Sequence, residues 1–95
     1  MKISEIDANS RKVSIEAKVI DKGEARSVRS RDGRDLRVSD AVLEDDSGSI
    51  QLTLWGDEID KINIGDKVKI ENGFVREWNN TLQLSVGKFG KMTVL

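Results

Sequence analysis

The sequence predicts an all-β chain in which five short strands curl into a Greek-key barrel, with one short helix between the third and fourth strands. Three observations carry this expectation. Apolar and polar residues alternate with a period of two in successive stretches, and turn-forming groups such as Asp32-Gly33, Asp45-Asp46-Ser47-Gly48 and Asn79-Asn80 separate them. The two-residue rhythm breaks at Ile59 and Ile62, which stand three apart. Five alternating strands in 95 residues must hide their edges, and closing on themselves is the small solution.

The elements follow in order. Residues 12–20, KVSIEAKVI, place Val13, Ile15, Ala17 and Val19 on one face and Lys12, Ser14, Glu16 and Lys18 on the other, a half-buried strand. Residues 21–35 contain Gly23 and Asp32-Gly33 but little periodicity, and read as an extended arm with a hairpin tip. Residues 36–56 are two strands around the turn at Asp45–Gly48. The second of them buries Ile50, Leu52 and Leu54 and leaves Gln51, Thr53 and Trp55 on the other face. Gly56-Asp57 then opens one or two helical turns, with acids at the N-terminal end where the helix dipole favours them, and Gly65-Asp66 closes them. Val68 and Ile70 begin the fourth strand, which runs on to Trp78, and Leu82, Leu84 and Val86 supply the fifth.

The hairpin between the last two strands fixes a register. Asn tolerates the positive φ of a two-residue turn, so Asn79-Asn80 sets Trp78 against Thr81, Arg76 against Gln83 and Phe74 against Ser85, with Val75 and Leu84 paired on the inner face. Phe74 and Trp78 therefore lie on the polar side, as Trp55 does. The chain has two Trp, two Phe and no Tyr, so three of its four rings face outward. Exposed apolar surface of that kind asks for a binding partner. Phe89 follows Gly87, where a strand can lose phase, and reads as core or edge packing.

Composition narrows the chemistry. No Cys and no His means no thiolate nucleophile, no imidazole base and none of the usual zinc ligands. Glu44, Asp45 and Asp46 are the one carboxylate cluster, and in front of Ser-Gly they read as turn formers rather than metal ligands. We expect no cofactor, no metal and no catalysis. The formal net charge is −1, but its distribution is uneven: residues 22–37 carry six cations against three acids, and residues 40–66 carry eight acids against Lys61. Neither a signal peptide nor a membrane-spanning run is visible, which fits a soluble cytoplasmic protein with no membrane partner. With no linker or repeat, residues 1–95 read as a single domain.

Residues 45–92 resemble the OB-fold single-stranded DNA-binding domain of archaeal replication protein A and related single-stranded DNA-binding proteins. The resemblance rests on the acidic-Ser-Gly turn, LTLW at 52–55, GDKVKIENG at 65–73, the aromatics at 74 and 78, and LQLSVGKFG at 82–90. It implies that Trp55, Phe74 and Trp78 stack on successive bases of single-stranded DNA. It also implies that basic residues contact phosphates or polar groups, with Arg26, Arg29, Arg31, Arg34, Arg37, Lys69 and Arg76 as candidates. Of these only Arg76 has support from strand parity. The chain lacks the additional OB domains, zinc-binding segment or tail that relatives can carry, as one domain cut from a longer protein would.

The expected function is thus sequence-tolerant binding of single-stranded DNA in replication, recombination or repair. Single-stranded RNA is a partner the sequence leaves open, because stacking ignores the 2′-hydroxyl. So are other replication or repair proteins, and an interaction module for an acidic partner is the alternative from another class.

Overall fold

The computed structural model describes residues 2–86 and 90–95, with the side chain of Trp78 outside that description. Its strands are β1 (Val13–Lys22), β2 (Arg26–Arg29), β3 (Asp35–Asp45), β4 (Gly48–Trp55), β5 (Lys67–Trp78), β6 (Thr81–Ser85) and β7 (Lys91–Val94), and a single helical turn, α1 (Glu58–Lys61), joins β4 to β5. The five strands expected from sequence are β1, β3, β4, β5 and β6. They pair in the order β1-β3-β4-β6-β5, and β1 also pairs with β5, so the ladder returns on itself. All these pairings are antiparallel except β4 with β6. Inward residues fill the ring: Val13, Val19, Leu43, Leu52, Leu54, Val68, Ile70 and Leu84 are all fully buried. Ile59 and Ile62 of the helical segment join the same core, so the three-residue spacing marks a plug.

The arm ends in the hairpin tip expected at Asp32-Gly33, and its regular pairing and two further elements were not expected. The arm is a paired ribbon, because β2 zips against the start of β3 from Arg26↔Val38 to Arg29↔Asp35. Its tip is closed by Gly33 N–H donating to the Ser30 carbonyl at 3.0 Å, with Gly33 in the left-handed region at φ 83°. At the N-terminus a 3₁₀ turn, Ile3–Glu5, drops Ile3 and Ile6 into the core. β7 adds to the outer edge of β5, with Val68 opposite Val94 and Ile70 opposite Met92. The expectation for Phe89 falls on residues 87–89 and lies outside the described residues.

One irregularity decides the orientation of everything after it. Val68 and Ile70 point inward, so strict alternation would turn Phe74 inward too. Instead Val13 pairs with Gly73 and Ile15 with Ile70, which leaves one extra residue on β5. Asn72 takes it up in the left-handed region at φ 55°, a conformation that Asn tolerates better than most residues. After this bulge the odd positions face the core: Gly73 is buried and Val75 packs against the core cluster, while Phe74 and Arg76 are exposed. Among the described residues, no helix is long and apolar enough to cross a membrane.

Candidate nucleic-acid interface

The hairpin register is the one that Asn79-Asn80 dictates. Both Asn have positive φ, 49° and 63°, and the ladder runs Phe74↔Ser85, Val75↔Leu84, Arg76↔Gln83, Glu77↔Leu82 and Trp78↔Thr81. β4 lies alongside, in register through Gln51↔Gln83, Leu52↔Leu84 and Thr53↔Ser85. Cross-strand partners share a face, so these pairings bring the outward residues of three strands together. The result is a cleft of about 250 Å³ lined by Thr53, Trp55, Phe74, Arg76, Gln83 and Ser85.

The two rings of its lining remain partly uncovered: Trp55 is 42% and Phe74 39% exposed. The Arg76 guanidinium carbon lies 5.7 Å from the centre of the Phe74 ring, which places a cation against an aromatic face. The rest of its lining is neutral and polar, the hydroxyls of Thr53 and Ser85 and the carboxamide of Gln83, all of which can both donate and accept. Among the described residues, no carboxylate lines the cleft. The end of β4 is held by Glu58, whose Oε1 accepts the Trp55 backbone N–H at 2.9 Å. Burial pushes the Glu58 carboxyl above its ordinary range, and the Trp55 N–H works against that shift.

The candidate cations divide by place. Arg26 stands opposite Val38 on β3, and Val38 stands opposite Trp55, so Arg26 shares the aromatic face. Arg37 and Arg29 occupy the alternate positions of the ribbon and present to its other side, where Arg37 reaches Asp60 of α1 at 3.5 Å and Arg29 lies 3.9 Å from Asp35. Arg31 and Arg34 are in the tip. Arg34 pairs with Asp32 at 2.7 Å, and this contact, with the Ser30 hydroxyl, holds the Asp32 carboxyl below its usual range. Lys69 is on the first half of β5, before the bulge, and lines a separate groove with Lys2, Ser14, Glu16, Asp45 and Asp46. The structure thus brings together Trp55, Phe74 and Arg76, with Arg26 on the same face, and leaves Arg29, Arg31, Arg34, Arg37 and Lys69 elsewhere. Trp78 takes its expected place in the ladder, and its side chain lies outside the described residues.

Several cleft residues are absent from the aromatic-and-basic candidate set. Thr53, Gln83 and Ser85 follow from the same parity that exposes Trp55 and Phe74, once β4 and β6 are known to be neighbours. Val28 and Leu36, opposite each other on β2 and β3, continue the face from Val38, and Leu36 is 39% exposed. Counting outward from the Asp32-Gly33 turn would have paired them.

The acidic turn has a structural occupation. The Asp45 carboxylate accepts the Ser47 hydroxyl at 2.5 Å and the backbone N–H groups of Ser47, Ile3 and Gly48 at 2.7, 2.9 and 3.1 Å. The Ser47 hydroxyl, with help from these N–H groups, brings the carboxyl down to about 2. Asp45 thereby ties the N-terminal turn to the β3–β4 connection.

A family model described as single-stranded DNA binding protein Ssb-like, OB fold, matches residues 8–94. The chain belongs to this family. It is 31% identical over 91 residues to the single-stranded DNA binding protein Ssb of Saccharolobus solfataricus, a match that covers 96% of this chain and 61% of that protein. It is 38% identical over 96 residues to replication factor A of Methanothermobacter thermautotrophicus, covering 96% of this chain and 12% of that one. The chain therefore spans under two thirds of one relative and about an eighth of the other. Among solved structures, the second OB-fold domain of replication protein A from Methanococcus maripaludis is similar with a TM-score of 0.82 at 28% identity, over 100% of this chain and 93% of that one. The OB fold and the archaeal replication protein A resemblance read from residues 45–92 agree with these matches.

Proposed function

We propose that residues 1–95 form one non-catalytic domain that binds single-stranded DNA with little sequence preference, in DNA replication and in the recombination and repair that expose the same strands. The observation that carries this is the cleft in which Trp55 and Phe74 stand partly uncovered, with Arg76 against Phe74 and no acid among the described residues of its lining. Every base has a π-face, so stacking on Trp55 and Phe74, extended by Trp78 at the hairpin end, provides affinity without a code. Arg76 and Arg26 supply charge for the backbone on the same face, while Arg29, Arg31, Arg34, Arg37 and Lys69 would serve only a strand that wraps past the ribbon or around β5. Family membership and the two DNA-binding or replication relatives support the choice of ligand. The setting is cytoplasmic, where such strands arise.

Trp fluorescence during titration tests the proposal, with single-stranded DNA, single-stranded RNA and duplex each used at two salt concentrations. Single-stranded DNA should quench strongly and duplex weakly, because a duplex keeps its bases stacked on one another. Equal quenching by duplex would sink base stacking, and stronger quenching by RNA would move the ligand to RNA.

A further inference from the structure

Arg26 differs from the other arm cations in sharing the face of the rings, and what it is doing in the free protein is specific. Across the ladder Arg26↔Val38↔Trp55 it lies two strands from the ring, about 10 Å at ordinary strand spacing. Asp40, two residues along β3 from Val38, stands opposite Thr53, which lines the cleft. Arg26 Nη1 is 3.3 Å from Asp40 Oδ2, and the two side chains are 60% and 32% exposed. A carboxylate beside a surface that gathers phosphates repels the ligand, so its place there calls for a role. Holding the arm's root is already accounted for. The Asp40 backbone carbonyl accepts the Gly23 N–H at 2.7 Å, and the Ser39 hydroxyl donates to the Gly23 carbonyl at 2.7 Å, so neither contact uses the Asp40 side chain.

Resting on the single-stranded DNA reading above, we propose that Arg26 is the arm's phosphate ligand on the aromatic face and that Asp40 is its internal competitor. In the free protein Asp40 holds the guanidinium. A strand stacked on Trp55 draws Arg26 away, because a phosphate offers the same paired oxygens to the guanidinium fork as a carboxylate does. When the strand leaves, Asp40 takes Arg26 back. The pair therefore sets affinity below the level that the cations alone would reach, and it hastens release, the step in which most affinity differences reside.

A double-mutant cycle of Arg26→Gln and Asp40→Asn tests this, read by fluorescence anisotropy of a labelled oligo(dT), with urea melts to establish folding. Asp40→Asn should tighten binding by about two- to fivefold, the range of an exposed ion pair. Arg26→Gln should cost more affinity in the Asp40→Asn background than in wild type, because only there is the guanidinium uncommitted. Asp40→Ser serves as the second variant should Asn disturb the fold. Simple repulsion of the strand by Asp40 would tighten Asp40→Asn but leave Arg26→Gln equally costly in both backgrounds, and that result overturns competition. So does an Asp40→Asn protein that binds no more tightly than wild type. A wild type that fails to bind oligo(dT) sinks the function reading itself, whereas a binding wild type with an additive cycle sinks only the competitor.

Discussion

Truncating Leu84 to alanine opens a space beside a position that has no side chain of its own. Leu84 is fully buried, opposite Val75 on β5 and beside Leu52 on β4, and its Cδ1 lies 3.0 Å from where a Cβ on Gly73 would stand. Loss of a buried Leu costs about 2–5 kcal/mol, more where the surroundings cannot collapse. Gly73 has nothing to move into the gap, so Leu84→Ala should fall near 3–5 kcal/mol, a large part of the ~5–15 kcal/mol that stabilises a domain. Gly73→Ala fails for the opposite reason. Its methyl would meet Leu84 Cδ1 at 3.0 Å and both Ile70 Cγ2 and the Ser85 carbonyl oxygen at 3.2 Å. Overpacking of that kind costs about 1–3 kcal/mol. With Leu84 already truncated, the tightest of these contacts is gone and the new methyl occupies part of the hole. The double variant should therefore be more stable than the sum of the single losses by about 1–2 kcal/mol, within the usual range for residues in contact. Urea melts of the four proteins give the cycle directly. Additivity to within about 0.5 kcal/mol would refute the close packing of Leu84 over Gly73, and with it the inward turn of β5 after the bulge.

Phe74→Ala and Trp55→Ala, on the outer face of the same strands, should each lose about 1–3 kcal/mol of single-stranded DNA binding while shifting the urea midpoint less than Leu84→Ala does; a variant that melts far below wild type yet binds normally would place its ring in the core. Arg76→Gln should lower the slope of log affinity against log salt by about 0.7, whereas Arg37→Gln, on the other side of the ribbon, should leave the slope unchanged, and equal effects would show that the strand reaches both sides. The Asp45 carboxyl is held down at about 2 in the fold against an ordinary 3.8, so its hydrogen bonds stabilise the protein above pH 3.8 and that contribution is lost as pH falls through about 2. Acid titrations followed by circular dichroism should show wild type losing stability across that window more steeply than Asp45→Asn, and parallel curves would mean that the turn does not depend on this carboxylate.

The five ring strands were legible because each has one wet face, so burial is written as alternation from Val13 to Val19 and from Ile50 to Leu54. The hairpin register was legible because Asn79-Asn80 admits few turns, and the outward placement of Phe74 and Arg76 came with it, while that of Trp55 came from the alternation of β4. The N-terminal 3₁₀ turn was hidden because Ile3 and Ile6 are two apolar residues in a polar stretch, too few to define a period. The β2–β3 ribbon was hidden for a related reason: its apolar residues, Val28, Leu36 and Val38, are divided between two short runs crowded with charge. Parity could also not choose among the cations. Which side of the ribbon an arginine takes depends on pairing with β3, and the position of Lys69 depends on the bulge at Asn72, where one extra residue separates the two halves of β5.

The ion pairs of the arm bear on how a ligand arrives. Arg26, Arg29, Arg34 and Arg37 each lie within 4 Å of an aspartate, so at a distance of one Debye length, about 8 Å in physiological salt, much of the positive field of the ribbon is cancelled. Such a surface exerts little pull on polyanions in general. Duplex presents dense charge but keeps its bases stacked on one another, and without a ring for Trp55 or Phe74 there is little incentive for a guanidinium to change partners. On the single-stranded DNA reading proposed above, a low net field of this kind would trade speed of encounter for selectivity against polymers that present charge without unstacked bases.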